Sequence, residues 1–290
     1  MNAASPKVRG LGIGWRPELA LDIERRSDLG FVEMLAEDFD PLGDDCLPLR
    51  RLRNRGVQVV VHGVSLSLGG AEPLSASRLD RLARLAERYA SPLISEHVAF
   101  VRGGGRETGH LMPVPRTRDS LELLVANIRE AQAALPVPLA VENIASLVEW
   151  PDAEMTEPQF LTELLDRTGA WLLLDLENVY ANSRNRGFDP IEFLEQLPLE
   201  RVAYAHVAGG VERSGVYHDT HAHAVPPAVL ELVAWFAGRY LGQGTAPGVM
   251  LERDDRFPSS EQLDAELTAI AAAMADGRVV SSEVPHDAVG

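Results

Sequence analysis

Six residues able to bind a metal ion stand at or near the ends of six successive apolar segments of this chain. His62 closes residues 57–62, and His97 lies in 93–100 beside Glu96. Glu142 ends 137–143 together with Asn143. Asp175 lies in 171–176, with Asn178 three residues on. His206 lies in 202–207, and Glu252 ends 248–252, followed by Arg253, Asp254 and Asp255. A charged group at the end of an apolar run is costly to bury unless it is paired or bound to metal. One such residue alone is explained by a hydrogen bond, a salt bridge or a helix cap; six in succession are not. The segment Asp219-Thr220-His221-Ala222-His223 adds more, because alternate residues of an extended segment share one side. Asp219 and His221 are its preferred ligands. His223 is a ligand, a support behind the ligands, or an acid–base group. One ion takes three or four ligands. The nine candidates His62, His97, Glu142, Asp175, Asn178, His206, Asp219, His221 and Glu252 therefore suit two or three ions, with a carboxylate such as Glu142 as a bridge. Imidazole, carboxylate and carboxamide suit iron, manganese or zinc and exclude a thiolate copper(I) site.

Something must bring these residues together. Apolar runs at 8–15, 30–35, 57–62, 93–100, 137–143, 171–176, 202–207 and 248–252 read as strands buried on both faces. Helical spacing lies between them, as in Leu79, Leu82, Leu85, Ala86 and Tyr89, or Leu121, Leu124, Val125, Ile128, Ala131 and Leu135. Asp189-Pro190 reads as a helix start. Strand–helix alternation repeated eight times predicts an α/β fold, a single-domain (β/α)8 TIM barrel over residues 1–275, whose strand ends converge on one mouth. Residues 276–290, with His286, read as a loose tail. A doubly wound sheet would carry a Gly-rich phosphate loop after its first strand. Gly10-Leu11-Gly12-Ile13-Gly14-Trp15 is followed by Arg16-Pro17 and does not match that fingerprint.

Among 290 residues, 27 are Lys or Arg and 43 are Asp or Glu, a formal charge of −16. That argues against nucleic acid or an anionic membrane as the main partner. With Cys46 the single cysteine, there is no intramolecular disulfide and no cysteine-rich metal site. No apolar window reaches membrane-spanning length and the N-terminus has no signal-peptide pattern, so the expected location is the cytoplasm.

The strand-end set resembles the xylose-isomerase-like metal barrels, apurinic endonucleases among them, with Asn178 where the endonucleases have His. The closer resemblance rests on five motifs. They are His62-Gly63-Val64-Ser65-Leu66-Ser67-Leu68-Gly69, Ser95-Glu96-His97, Glu142-Asn143, Leu174-Asp175-Leu176-Glu177-Asn178-Val179-Tyr180 and Asp219-Thr220-His221-Ala222-His223. In that order they are similar to the multinuclear non-haem iron-dependent oxidases, the family that includes the oxidase of methanobactin biosynthesis, and the likeness runs from about Gly12 to Phe257. The resemblance implies a barrel holding two or three irons of mixed Fe(II)/Fe(III) valence. It implies O2 as co-substrate, and a precursor peptide modified at Cys, Asn or Asp in natural-product biosynthesis, usually delivered by a partner protein. It also implies a ligand set: His62, His97 and Glu142 for one iron; Glu142, Asp175, His206 and Glu252 for the second; Asn178, Asp219 and His221 for the third.

Three positions depart from the family pattern. Glu37-Asp38-Phe39 stands where members often read Glu-Asn-Tyr, Gly209-Gly210 where many have Gly-His, and Arg253 where Trp is common. Glu96, Asn143, His223 and Arg253 are candidates to support the ligands or meet substrate. Arg253 is a candidate for a peptide carboxylate, as are Arg184 and Arg186, for which a solvated surface position is the preferred reading. Three other functions use similar residues: a zinc or manganese hydrolase or phosphodiesterase, a sugar isomerase, and a metal-binding scaffold. The isomerase needs a Lys or His beside the sugar, and the chain has one lysine, Lys7. A scaffold site would be saturated by protein ligands, whereas a catalytic one keeps an open position.

Overall fold

The computed structural model describes residue 6, residues 8–241 and residues 246–280, with side chains to 277. Eight parallel strands form a closed barrel: β1 (Leu11–Gly14), β2 (Leu29–Leu35), β3 (Gln58–His62), β4 (Ile94–His97), β5 (Leu139–Glu142), β6 (Trp171–Asp175), β7 (Val202–Val207) and β8 (Gly248–Leu251). Each strand pairs with its neighbour in sequence and β8 closes on β1. The expected single-domain (β/α)8 barrel is the observed fold.

The strands are largely buried on both faces, yet the period of two still governs. Phe31, Val60, Leu93, Ala140, Leu173, Tyr204 and Met250 point inward and form their own cluster, the barrel floor. Val32, Val61, Val141, Leu174, Ala205 and Leu251 point outward into the larger core beneath the helices. One inward step beyond the floor stand Glu33, His62, Ser95, Glu142, Asp175, His206 and Glu252, all buried. A polar layer therefore lies on an apolar plug, at the C-terminal ends of the strands. Gly12 explains the glycine-rich first strand: a Cβ there would lie 2.4 Å from the Phe31 ring, so its absence lets Phe31 fill the floor.

The helices follow their apolar stripes. Ala76–Tyr89 buries Leu79, Leu82, Leu85, Ala86 and Tyr89. Arg118–Ala134 buries Leu121, Leu124, Val125, Ile128 and Ala131. Asp189 caps Pro190–Glu195, its Oδ1 accepting from the Ile191 N–H at 2.7 Å. Two hairpins were not expected from the sequence. Residues 93–100 do not form one strand: the barrel strand ends at His97, and Ala99–Gly103 pairs with Arg106–Pro113. Gly104 and Gly105 have positive φ values of 60° and 72° and reverse the chain between them. The second hairpin joins Val211–Arg213 to Val216–His218. The last helix, Ser260–Val280, continues past residue 276, where the tail was expected to start. Lys7, His286 and the rest of 281–290 lie outside the described residues. Among the described residues, no helix is long and apolar enough to cross a membrane.

Candidate metal centre

Parallel register sets the candidate ligands side by side. His97 on β4 is opposite Glu142 on β5, and Asp175 on β6 is opposite His206 on β7. His62 on β3 is opposite Ser95 rather than His97. The Glu252 N–H donates to Val207 O at 2.9 Å, which places Glu252 just above the β7 tip.

Two groups of ligand atoms result, and they share Glu142. The donor atoms of His62, His97 and Glu142 lie within 4.8 Å of one another, as do those of Glu142, Asp175, His206 and Glu252. Glu142 Oε2 is 3.6 Å from His62 Nε2 and 3.3 Å from His97 Nε2, while its Oε1 is 3.5 Å from His206 Nδ1. His206 Nδ1 is 3.2 Å from Glu252 Oε2 and 3.9 Å from Asp175 Oδ2. The Glu142 carboxylate thus turns one oxygen to each group.

The loop-borne candidates are arranged differently. His221 Nε2 is 2.9 Å from Asp219 Oδ1, while its Nδ1 is 3.2 Å from Glu252 Oε2 and 3.1 Å from Asp254 Oδ2. His221, Glu252 and Asp254 form the third group of clustered donors. Asn178 and Asp219 line the same cavity as these residues. His221 takes a left-handed backbone, φ 48°, which is uncommon for a residue with a side chain.

The donor chemistry fits metal ions. Glu142 Oε2, Asp175 Oδ2, Asn178 Oδ1, His206 Nδ1, Asp219 Oδ1 and His221 Nε2 are buried and make no hydrogen bond. Buried polar atoms left in this state are rare and call for a partner. The carboxylates of Glu33, Glu142, Asp175, Asp219, Glu252 and Asp254 crowd this region, and Arg16 is the one fixed cation among the described residues lining the cavity. Protons partly offset this charge. Burial opposes ionisation of His97, but Glu142 and then Glu96 outweigh it and raise its pKa to about 9. Burial and the Glu142 charge raise Asp175 to about 8. Against the cost of burial, Glu33, Glu142 and Glu252 hold His206 well above the usual imidazole range. Burial pushes Glu252 up, but His221 and His206 outweigh it and hold it well below the usual carboxylate range.

Support for the ligands comes from residues just behind them. Asn143 bridges β5 and β6: its Nδ2 donates to Asp175 O and its Oδ1 accepts from the Asp175 N–H, both at 3.0 Å. Asn143 O accepts from Asn178 Nδ2 at 2.9 Å. Asp175 caps the helix Leu176–Arg186, its Oδ1 accepting from the Asn178 N–H at 2.7 Å, which leaves Oδ2 for the centre. Glu96 accepts from the backbone N–H groups of Leu66 and His97, and so fixes the β3 loop.

Other candidate residues are engaged elsewhere. Arg253 is buried and pairs with Glu266 on the last helix at 2.8 Å, and it does not line the cavity. Arg186 anchors the loop after β5 through Glu149, Glu157 and Ser146 O, and Arg184 pairs with Glu212 on the second hairpin. His223 Nδ1 bonds Thr220 Oγ1 at 2.9 Å, outside the donor groups. The absence of a side chain at Gly210 leaves room for the second hairpin and the Tyr217 ring. A Cβ on Gly210 would lie 2.3 Å from His218 O and 2.6 Å from the Tyr217 ring. The Tyr217 hydroxyl accepts from the Gly210 N–H at 2.9 Å and donates to Glu177 at 2.7 Å.

Three residues at the centre were given no role from sequence. Buried Arg16 lines the cavity, with its Nη2 2.5 Å from Asp254 Oδ1 and 3.7 Å from Glu252 Oε1. Glu33 and Tyr204 lie behind His206. A Glu alone in the apolar run of β2 was the available signal for Glu33. Nothing local marked Arg16, whose partners are more than 230 residues away in sequence.

The donor groups open into a cavity of about 600 Å3, with Glu18, Asp38, Leu111 and Phe257 at its mouth. A groove of about 670 Å3 adjoins it, sharing Leu111, Ala145, Asp219, His221 and Asp254. The groove runs between the hairpin strand at His110–Pro113 and the loop carrying Leu147 and Val148, both exposed.

Comparison with known proteins agrees with this architecture. Endonuclease IV from Thermus thermophilus superposes with a TM-score of 0.60 at 18% identity, over 92% of this chain and 99% of that one. A D-allulose 3-epimerase from Methylomonas sp. gives 0.60 at 12% identity, over 98% and 99%. At these identities the likeness is one of fold. A UPF0276 protein of Streptomyces avermitilis is 55% identical over 268 residues, which is 90% of this chain but 54% of that protein, so the chain spans about half of it. A UPF0276 protein of Caulobacter vibrioides is 38% identical over 93% of this chain and 95% of its own length. Residues 10–275 match the model of the RiPP precursor modification enzymes MbnB/TglH/ChrH, and the chain belongs to that family.

Proposed function

We propose that this protein is a multinuclear non-haem iron oxidase that uses O2 to modify a Cys, Asn or Asp residue of a ribosomally made precursor peptide. The observation that carries this reading is the pair of buried donor groups sharing Glu142, with unpartnered atoms turned toward each other. His62, His97 and Glu142 would hold one iron, and Glu142, Asp175, His206 and Glu252 the second. Asn178, Asp219 and His221 would hold a third. When bound, iron supplies redox chemistry with O2 and a Lewis-acidic anchor for a substrate thiolate or carboxylate. The protein supplies the frame. Asn143 and the helix cap fix Asp175, Glu142 ties the two positions together, and the apolar floor keeps water from below.

The acidic mouth, with Glu18, Asp38, Asp219 and Asp254, disfavours a nucleic-acid backbone. An extended peptide fits better. It would lie in the groove beside His110–Pro113, with apolar side chains against Leu147 and Val148, and send its reacting residue past Leu111 to the donor groups. A partner protein that presents the peptide is part of this reading. The test is mass spectrometry of a precursor peptide encoded beside this gene, incubated with iron-loaded protein, with and without O2. An O2-dependent mass change confined to one Cys, Asn or Asp is expected. An unchanged peptide, together with zinc-dependent hydrolysis of a phosphodiester, would overturn the reading in favour of a hydrolase.

A further inference from the structure

His62 and His206 belong to different donor groups, yet one hydrogen-bonded chain runs behind both. His62 Nδ1 is 2.9 Å from Ser95 Oγ, and Ser95 Oγ is 2.7 Å from the Tyr204 hydroxyl. The Tyr204 hydroxyl donates to Glu33 Oε2, and the same oxygen lies 2.9 Å from His206 Nε2. All five side chains are at most 1% exposed, so no solvent interrupts the chain. It runs from β3 through β4 and β7 to β2 and returns to β7 at His206.

Counting protons gives the chain a direction. A carboxyl oxygen that takes a hydroxyl proton acts as an acceptor toward its other partner too. Glu33 Oε2 therefore takes the Tyr204 hydroxyl proton from one side and a His206 Nε2 proton from the other. With its own proton committed, Tyr204 accepts from Ser95, and Ser95, having donated, accepts from His62 Nδ1–H. Each step leaves one choice for the next. In the neutral rings that bind metal, the result is a bare Nε2 on His62, facing Glu142, and a bare Nδ1 on His206, facing Glu142, Asp175 and Glu252. Those are the atoms a metal would need, and imidazole ligands elsewhere are commonly oriented by an acceptor behind the ring.

We propose that Glu33 is a positioning residue that sets the tautomers of both His62 and His206, the first through Tyr204 and Ser95, so that one buried carboxylate readies two metal positions together. The inference rests on the metal reading above and deepens it.

The test uses Zn(II) as a diamagnetic probe, with two readouts on the full chain. One is Zn(II) affinity by competition with a chromophoric chelator. The other is the histidine ring 15N spectrum of the Zn(II)-loaded protein, which reports which nitrogen carries the proton. Glu33→Met removes the acceptor at similar volume, and affinity should fall roughly tenfold to a hundredfold at both positions. Tyr204→Phe removes one hydroxyl and cuts the chain midway. It should release the His62 tautomer and weaken the first position while His206 keeps its Nε2 proton. Ser95→Ala should reproduce Tyr204→Phe, and the double variant should cost no more than either alone. If the chain only fills the barrel, these variants lower the unfolding midpoint of metal-free protein but leave Zn(II) affinity and both ring spectra as in wild type. That result overturns the proposal. Should Glu33→Met fail to fold, the Tyr204→Phe and Ser95→Ala pair decides the question alone. A wild-type protein that takes up no Zn(II) at micromolar concentration would sink the metal reading and this inference with it. Wild-type uptake of two ions, unchanged in Tyr204→Phe and Ser95→Ala, would sink only the inference.

Discussion

The donors held on barrel strands and those held on loops differ in how firmly they are placed. His62, His97, Glu142, Asp175 and His206 lie on strands, with Glu252 directly after one; all are buried and locked in parallel register above an apolar floor. Asp219 and His221 come from a loop, and His221 holds a left-handed backbone. Their partner Asp254 has 43% of its side chain exposed, and Arg16 competes for its carboxylate. A strand-borne site is organised before any ion arrives. The loop-borne position has to assemble against a local backbone cost and a fixed positive charge. On the proposed reading, the barrel would provide two firm metal positions and a third that forms conditionally.

The largest expected effect breaks the firm region. Glu142→Ala removes the carboxylate shared by both strand-borne groups, so it should abolish tight binding at two positions at once. Metal content by mass spectrometry should drop by two ions per chain, with peptide modification lost. Loss of only one ion would show that the groups are independent. Asp219→Ala should separate the regions: the strand-borne ions stay, any third is lost, and activity falls more than metal content does. If all ions leave together, the two regions form one cooperative site and the distinction fails.

Acidity should sharpen the comparison further. His97 holds its proton up to about pH 9 and Asp175 up to about pH 8, and both must be free of protons to bind a cation. Below these values protons compete with metal. Affinity at the strand-borne positions should therefore rise from pH 6 to about pH 9, and uptake should release protons. Calorimetry in buffers of different ionisation enthalpy measures that release; binding independent of pH across this window would contradict the assignment. A smaller effect is expected from Gly210→Ala. The new Cβ would lie 2.3 Å from His218 O, which needs a backbone shift in the hairpin costing about 1–3 kcal/mol. Chemical denaturation checks the loss, while strand-borne metal affinity should stay unchanged.

How far the sequence could be read follows the same division. A His, Glu or Asp ending an apolar run is visible locally, so the strand-borne donors and the barrel that aligns them were legible. The family pattern also pointed to Asn178, Asp219 and His221. The alternation inside the barrel was hidden, because inward and outward positions are both apolar and only the packing separates Phe31 from Val32. Glu33, Tyr204 and Arg16 acquire their roles through partners far away in sequence, which spacing does not reveal. Arg253 was a candidate to meet substrate and Arg186 was preferred as a solvated surface residue, but Glu266 holds the first and Glu149 and Glu157 the second. Local charge shows that a residue needs a partner and does not show which one.

The most direct test of the central claim is metal analysis with Mössbauer spectroscopy on protein purified anaerobically from iron-supplemented cells. Two firmly held irons per chain in distinct environments are expected, with a third of variable occupancy and loss of the paired signal in His62→Ala and Glu142→Ala. Stoichiometric zinc, with no iron taken up after anaerobic loading, would contradict the central claim.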